Sequence, residues 1–207
     1  MKLLATLILG LTMACVATTA EANLLTNAGF EDVSPGPWWG PWGTQHTGTY
    51  GDSGTGIGDS QSVKFVPNAD AGTGDAYFMY DNGLVSVTPS TTYYAGIYAK
   101  TQSLVNEEVF AKIDWFNAGA WVGTAGASSI ITGTNDWTLL QVSGAAPGDA
   151  THASLAFFIN QTVDGGSGTA YFDNAYLDSS NPVPEPSTLL LLTSGLAGLF
   201  TIVRKKR

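Results

Sequence analysis

The chain has 207 residues, 25 of them glycine, with 44% hydrophobic and 12% charged positions and a formal net charge of −9, a composition that suits one domain with its own core. Between Asn23 and Pro182 only Lys64, Lys100 and Lys112 oppose fifteen carboxylates, a formal −12. That balance excludes nucleic-acid binding, which draws its affinity from clustered Lys and Arg, and favours solubility and divalent cations instead.

Residues 1–22 open with Met1 and Lys2, continue as an apolar stretch from Leu3 to about Ala17, and end on Ala20-Glu21-Ala22. A positive start, an apolar middle and an A-x-A end predict a signal peptide cut after Ala22. Cys15 as an acylated lipoprotein residue is the rival reading, and Thr12 stands where such signals usually carry Leu, Val or Ile. With Cys15 removed, the mature chain has no cysteine and no disulfide.

From Asn23 to Asp178 no sustained run places apolar residues at helical spacing. Short alternating runs separated by Gly, Asn, Asp and Ser predict an all-β domain over 23–178. Pro37-Trp38-Trp39-Gly40-Pro41-Trp42-Gly43 reads as a loop that proline and glycine keep out of regular structure. Its flat indoles can stack on sugar faces: Trp38 and Trp39 are the ligand candidates, whereas Trp42 is expected to be structural.

Gly51-Asp52-Ser53-Gly54 looks like the nucleophile motif of trypsin-like serine proteases, but the only upstream histidine, His46, lies too close in the chain to complete a triad. Gly54, Gly56 and Gly58 fail the dinucleotide pattern because no βαβ unit follows. Strands are predicted over 62–66, 76–80, 92–100, 109–116, 137–142, 153–159 and 169–177. Tyr93, Ala95, Ile97 and Ala99 share one face, as do Ala153, Leu155, Phe157 and Ile159.

Trp115 goes to the core with Ala111 and Ile113, while Lys112, Asp114 and Phe116 take the opposite face; Trp137 is also expected in the core. Trp121, near a turn, can join a binding surface. Glu107 and Glu108 are adjacent and point to opposite faces, so they cannot flank one glycosidic bond. His46 and His152 lack a second His or Cys at metal-ligand spacing and read as surface or turn residues. No residue set selects a catalytic site, and no enzyme is expected. Eight or more strands with turn signals between them favour a two-sheet antiparallel jelly-roll sandwich.

Beyond the domain, a 179–188 linker contains Val183-Pro184-Glu185-Pro186-Ser187-Thr188. An uncharged, mainly apolar segment from Leu189 to Val203 follows, then Arg204-Lys205-Lys206-Arg207. Prolines stop regular structure, the apolar stretch can enter a bilayer as a short transmembrane helix, and the four cations stay cytoplasmic. At about 1.5 Å per helical residue it falls short of a hydrocarbon core of about 30 Å, which suits a transient tether. The alternative is an ordinary membrane anchor behind a proline linker.

The three-part tail resembles the PEP-CTERM sorting signal. That resemblance implies processing by an exosortase with Pro184, Glu185 and Pro186 as recognition residues, and display at the surface of a Gram-negative bacterium that makes extracellular polysaccharide.

Further pieces resemble carbohydrate-binding-module and galactose-binding-like jelly rolls. They are the opening Asn23-Leu24-Leu25-Thr26-Asn27-Ala28-Gly29-Phe30-Glu31, the segment Leu84 to Tyr93, Asn135-Asp136-Trp137-Thr138-Leu139, and the closing Ala170-Tyr171-Phe172-Asp173-Asn174. In many such modules the first and last strands meet around a structural calcium, and Glu31 and Asp173 match its carboxylate ligands. Those two oxygens are fewer than the 6–8 that calcium takes, and solvated carboxylates at strand ends remain the other reading. The resemblance implies a non-catalytic module that binds glycan through Trp38, Trp39 and Trp121. The alternatives are a structural matrix or adhesion protein, or a glycan-active enzyme of the same fold.

Overall fold

A computed structural model describes residues 23–181 except 33, 59, 69–71, 82 and 84. The predicted signal peptide, the sorting motif, the apolar segment and the basic tail lie outside the described residues, among which no helix is long and apolar enough to cross a membrane. The described elements are all strands: β1 (Trp38–Trp42), β2 (His46–Ser53), β3 (Gln61–Pro67), β4 (Gly74–Tyr80), β5 (Val85–Ser86), β6 (Thr92–Val105), β7 (Glu107–Asn117), β8 (Ala120–Ala127), β9 (Asn135–Ala145), β10 (His152–Gln161) and β11 (Ser167–Asp178).

They form two antiparallel sheets. One has the order β1-β4-β10-β7-β8 with β5 paired to β10, and the other the order β2-β3-β11-β6-β9. Successive strands mostly change sheet, as in a jelly roll. Period-2 alternation fills the space between the sheets: Ala153, Leu155, Phe157 and Ile159 of β10 meet Tyr93, Ala95, Ile97 and Ala99 of β6, and all are buried. Phe157 is the aromatic hub, with ring centroids 4.6 Å from Phe172, 5.9 Å from Phe30 and 6.0 Å from Phe78.

Three expectations are corrected here. Trp38–Trp42 is an edge strand paired with β4, its register shifting between Trp39 and Trp42 where Gly40-Pro41 is cis. An edge tolerates the proline because one side of the strand needs no ladder donor. Trp137 is only half-buried: Leu140 and Val142 take the inward positions of β9, which leaves Trp137 on the opposite parity.

His46 is buried, and its Nε2 lies 2.9 Å from Glu107 Oε2, a pair that joins β2 of one sheet to β7 of the other. His46 Nδ1 and Glu107 Oε1 have no hydrogen-bond partner. Gly166 packs so closely that a Cβ there would lie 2.0 Å from Glu107 Oε1. The pair is sealed from solvent, so it acts in packing and not on a substrate.

The chain ends of the sandwich meet. Leu24 N donates to Leu177 O, and Asn23 bonds both Ala175 O and Leu177 N through its side chain.

Candidate functional site

The outer face of the six-stranded sheet gathers most of the exposed aromatic surface. In β4, Ala76, Phe78 and Tyr80 point inward, so Asp75, Tyr77 and Met79 point out. In β7 the outward set is Glu108, Phe110, Lys112 and Asp114, and in β10 it is Ser154, Ala156, Phe158 and Asn160. Register aligns these side chains into rows across the strands. Asp75, Asn160 and Glu108 form one row, and Trp42, Tyr77, Phe158 and Phe110 the next. Trp39, Met79, Ala156 and Lys112 form a third, and Ser154, Asp114 and Thr124 a fourth.

The aromatic row is stacked. The Phe158 centroid lies 4.9 Å from Tyr77 and 5.0 Å from Phe110, and Lys112 Nζ sits 4.7 Å above Phe158 and 5.1 Å above Phe110. These neighbours bury Phe158 although it faces outward. Between the large side chains of β4 and β7 the floor is made of Ser154 and Ala156, with Ser154 Oγ donating to Tyr80 O.

Tryptophans stand at both edges. Trp39 and Trp42 on β1 are 53% and 48% exposed, and Trp121 on β8 is 62% exposed. The two edges are four strand spacings apart, about 19 Å at the usual inter-strand distance. Trp39, Trp42, Met79, Tyr80 and Asp81 line a depression of about 220 Å³. Trp39 Nε1 donates to Asp81 Oδ2 at 3.1 Å, and Trp121 Nε1 to Asp114 Oδ1 at 3.4 Å; Asp114 also accepts from Thr124 Oγ1. Burial pushes the Tyr77 phenol pKa up, and the nearby carboxylates of Asp75 and then Asp114 push it further in the same direction.

The structure therefore separates the predicted sugar-binding tryptophans. Trp39 and Trp121 are displayed on one face. Trp38 is not available for stacking: it is 2% exposed, with its ring 5.0 Å from Phe30, 5.1 Å from Tyr80 and 5.7 Å from Phe157, and its Nε1 bonded to Asn27 O. Alternation along β1 turns Trp38 inward and Trp39 outward. Trp42, expected to be structural, is displayed instead. Strict alternation would turn Trp42 inward with Trp38; the register shift between Trp39 and Trp42 turns it out, and Tyr77, Asp81 and Asp114 gave no sequence signal of their own.

Glu31 and Asp173 come together at the other sheet. Asp173 is buried, its Oδ2 accepting from Ile57 N at 2.7 Å and Ser60 Oγ at 3.3 Å, and its Oδ1 from Asn174 N at 2.6 Å. Glu31 accepts from Gln61 N at 3.3 Å. Burial pushes the Asp173 carboxyl pKa above its ordinary value; the hydrogen bonds from Ile57, Asn174 and Ser60 act against that, and the Glu31 charge adds to it.

Oxygens crowd this corner. A Cβ on Gly56 would lie 2.2 Å from Gln61 O, 2.3 Å from Ser60 Oγ and 2.9 Å from Asp173 Oδ2, and one on Gly29 would lie 3.4 Å from Asn174 Oδ1 and 3.7 Å from Glu31 Oε1. Two carboxylates, an amide oxygen, a hydroxyl and a main-chain carbonyl are oxygen types that a hard divalent cation accepts. Among the described residues no cluster of three or more His, Cys, Asp or Glu side chains could hold a metal, so carbonyl and hydroxyl oxygens would have to complete the set.

Comparison with known proteins adds two findings. Residues 182–207 match the PEP-CTERM protein-sorting motif. In fold, the chain is similar to a xylan-binding domain of carbohydrate-binding family 22, at TM-score 0.52 and 18% identity, covering 79% of this chain and 99% of that one. It is also similar to the enzymatically active domain of a tailspike protein from bacteriophage CBA120, at TM-score 0.56 and 20% identity. There 75% of this chain covers only 21% of the other. A third similar structure is a carbohydrate-binding and catalytic module pair of a Clostridium thermocellum xylanase, at TM-score 0.53 and 12% identity, with 76% of this chain matching 28% of that one. Among curated proteins, none matches this chain in sequence. At these identities the likeness establishes the fold alone, a jelly-roll sandwich.

Proposed function

We propose that this is an exported, surface-sorted, non-catalytic protein whose sandwich binds glycan across the outer face of the six-stranded sheet. The observation that carries the reading is the display of Trp39, Trp42 and Trp121 at the two edges of one face. Large apolar rings are seldom left in water without use, and here two of them are held by aspartates that accept from their indole N–H groups. Between them, Asp75, Asp81, Glu108, Asp114 and Asn160 offer acceptors and donors for sugar hydroxyls. One solved domain nearly coextensive with this chain is named as xylan-binding, which supports the class of ligand and does not fix the sugar.

The sorting motif at 182–207 supports export. In this reading an exosortase recognises Pro184, Glu185 and Pro186, the apolar segment 189–203 tethers the protein to the membrane beforehand, and the sandwich is delivered to the cell surface or the extracellular polysaccharide. Calcium held by Glu31 and Asp173, with Asn174, Ser60 and Gln61 oxygens, would fasten the opening segment to β11. Its contribution is structural, at a corner built on the other sheet from the tryptophan face.

The test is a glycan array probed with the full-length chain in a zwitterionic detergent, with calcium and again with chelator. Selective binding that is lost in a Trp39→Ala/Trp121→Ala variant of unchanged circular dichroism is expected. A folded protein that binds no glycan in calcium would overturn the reading and leave a structural surface protein.

A further inference from the structure

Resting on the glycan reading above, we infer that the groove selects by charge: it takes an uncharged glycan and excludes uronate- or sulfate-bearing chains, with Asp75, Asp81, Glu108 and Asp114 as the specificity-determining residues. All four belong to the tryptophan face. Asp75 and Glu108 stand outward at the two ends of one row with Asn160 between them, and Asp81 and Asp114 bond the indoles at opposite edges. A chain laid from Trp39 to Trp121 would therefore pass carboxylates on both flanks.

Among the described residues no ion pair offsets them. Asp81 accepts from Trp39 and Gly83 N, and Asp114 from Trp121 and Thr124, so these bonds hold the carboxylates in place without neutralising them. Among the described residues the ion pairs are His46–Glu107 and Lys64–Asp52, and neither includes one of the four. The face has one lysine, Lys112, whose Nζ lies over the Phe110 and Phe158 rings. A cation held on aromatic faces is partly satisfied already and is a poor partner for an incoming carboxylate.

The whole segment between the targeting signals has the same sign, so the approach of an anionic polymer is opposed at a distance as well as at contact. Charge repulsion of this kind reaches about 10 Å in 0.1 M salt, enough to act across the groove. Neutral sugars meet no such penalty, and their hydroxyls can donate to the same four carboxylates.

The experiment uses matched polymers that differ only in charge: polygalacturonate against its methyl ester, and glucuronoxylan against its carboxyl-reduced form, with full-length protein in affinity electrophoresis at low and high salt. The neutral member of a pair should bind at least roughly tenfold tighter at low salt, and the gap should narrow as salt screens the repulsion. In an Asp75→Asn/Glu108→Gln variant the ratio of acidic to neutral affinity should rise.

Equal or tighter binding of the acidic member, abolished by Trp39→Ala/Trp121→Ala, would overturn the charge selection while leaving the glycan groove standing. Binding of neither member of either pair at any salt concentration, by a folded protein that also binds nothing on the glycan array, would overturn both.

Discussion

Replacing Glu107 tests how the two sheets are joined. The Glu107 and His46 side chains are wholly removed from solvent, 2.9 Å apart, and each is the other's hydrogen-bond partner. Glu107→Ala leaves the His46 ring with no partner at either nitrogen, since Nδ1 already has none, and opens a void beside Gly166. Leaving a buried polar group without its hydrogen-bond partner costs about 1–3 kcal/mol. For a domain of this size each kcal/mol lowers the melting temperature by roughly 2–4 °C, so a fall of about 2–12 °C is expected.

The assay is thermal denaturation followed by circular dichroism, with Glu108→Ala as the neighbour control. Glu108 lies next in the chain but faces outward and is half-buried, and its loss should change stability by no more than about 0.5 kcal/mol. Replacing the pair together, His46→Leu/Glu107→Leu, should recover most of the loss because no buried polar group is then left without its partner. If Glu107→Ala and Glu108→Ala melt alike, the pair does not hold the sheets and the reasoning fails.

Trp39→Ala and Trp121→Ala should each weaken retention on an immobilised glycan by about tenfold, while Trp38→Ala should instead lower stability by about 3–5 kcal/mol, read by denaturant titration. At Gly40 the backbone has φ 147° and a Cβ would lie 2.7 Å from Tyr77 O, so Gly40→Ala should cost about 1–3 kcal/mol, measured the same way. Asp173 has a raised folded pKa, so the folded state holds its proton longer than the unfolded state. In chelator, stability should therefore fall as pH rises from about 4, the ordinary carboxylate value, through the raised one; Asp173→Asn, which cannot ionise, should lack that slope. Calcium added above that window should raise the melting temperature of the wild type and leave Glu31→Gln/Asp173→Asn unmoved.

The interior was legible because alternation is a property of the chain itself. Tyr93 to Ala99 and Ala153 to Ile159 point their odd-numbered residues inward, as period 2 requires, and Trp115 follows Ala111 and Ile113. Trp38 and Trp42 exchanged roles because Gly40 and Pro41 signal a loop, whereas an edge strand accepts both: alternation separates Trp38 from Trp39, and the register shift before Trp42, which no spacing announces, puts that indole on the outer side. Trp137 was misplaced because an aromatic residue in a strand pulls the reading toward the core, and only the positions of Leu140 and Val142 fix the parity. His46 and Glu107 lie 61 residues apart, and no local pattern announces a pair made across two sheets. The groove was half visible: the tryptophans stand out in the sequence, but the rows that link Tyr77, Phe158 and Phe110 exist only through register.

β11 lies in the middle of its sheet, between β3 and β6, and the chain continues from its Asp178 end towards the sorting motif. Tension transmitted through that continuation pulls along the strand axis, whereas the ladder bonds lie across it, so two rows of bonds share the load in shear. A strand at the rim of the sheet would peel away one bond at a time. A sandwich held at a surface by its central strand resists drag from flow or from a bound polymer, and Leu24 and Asn23 clamp the same strand at the point where the force enters.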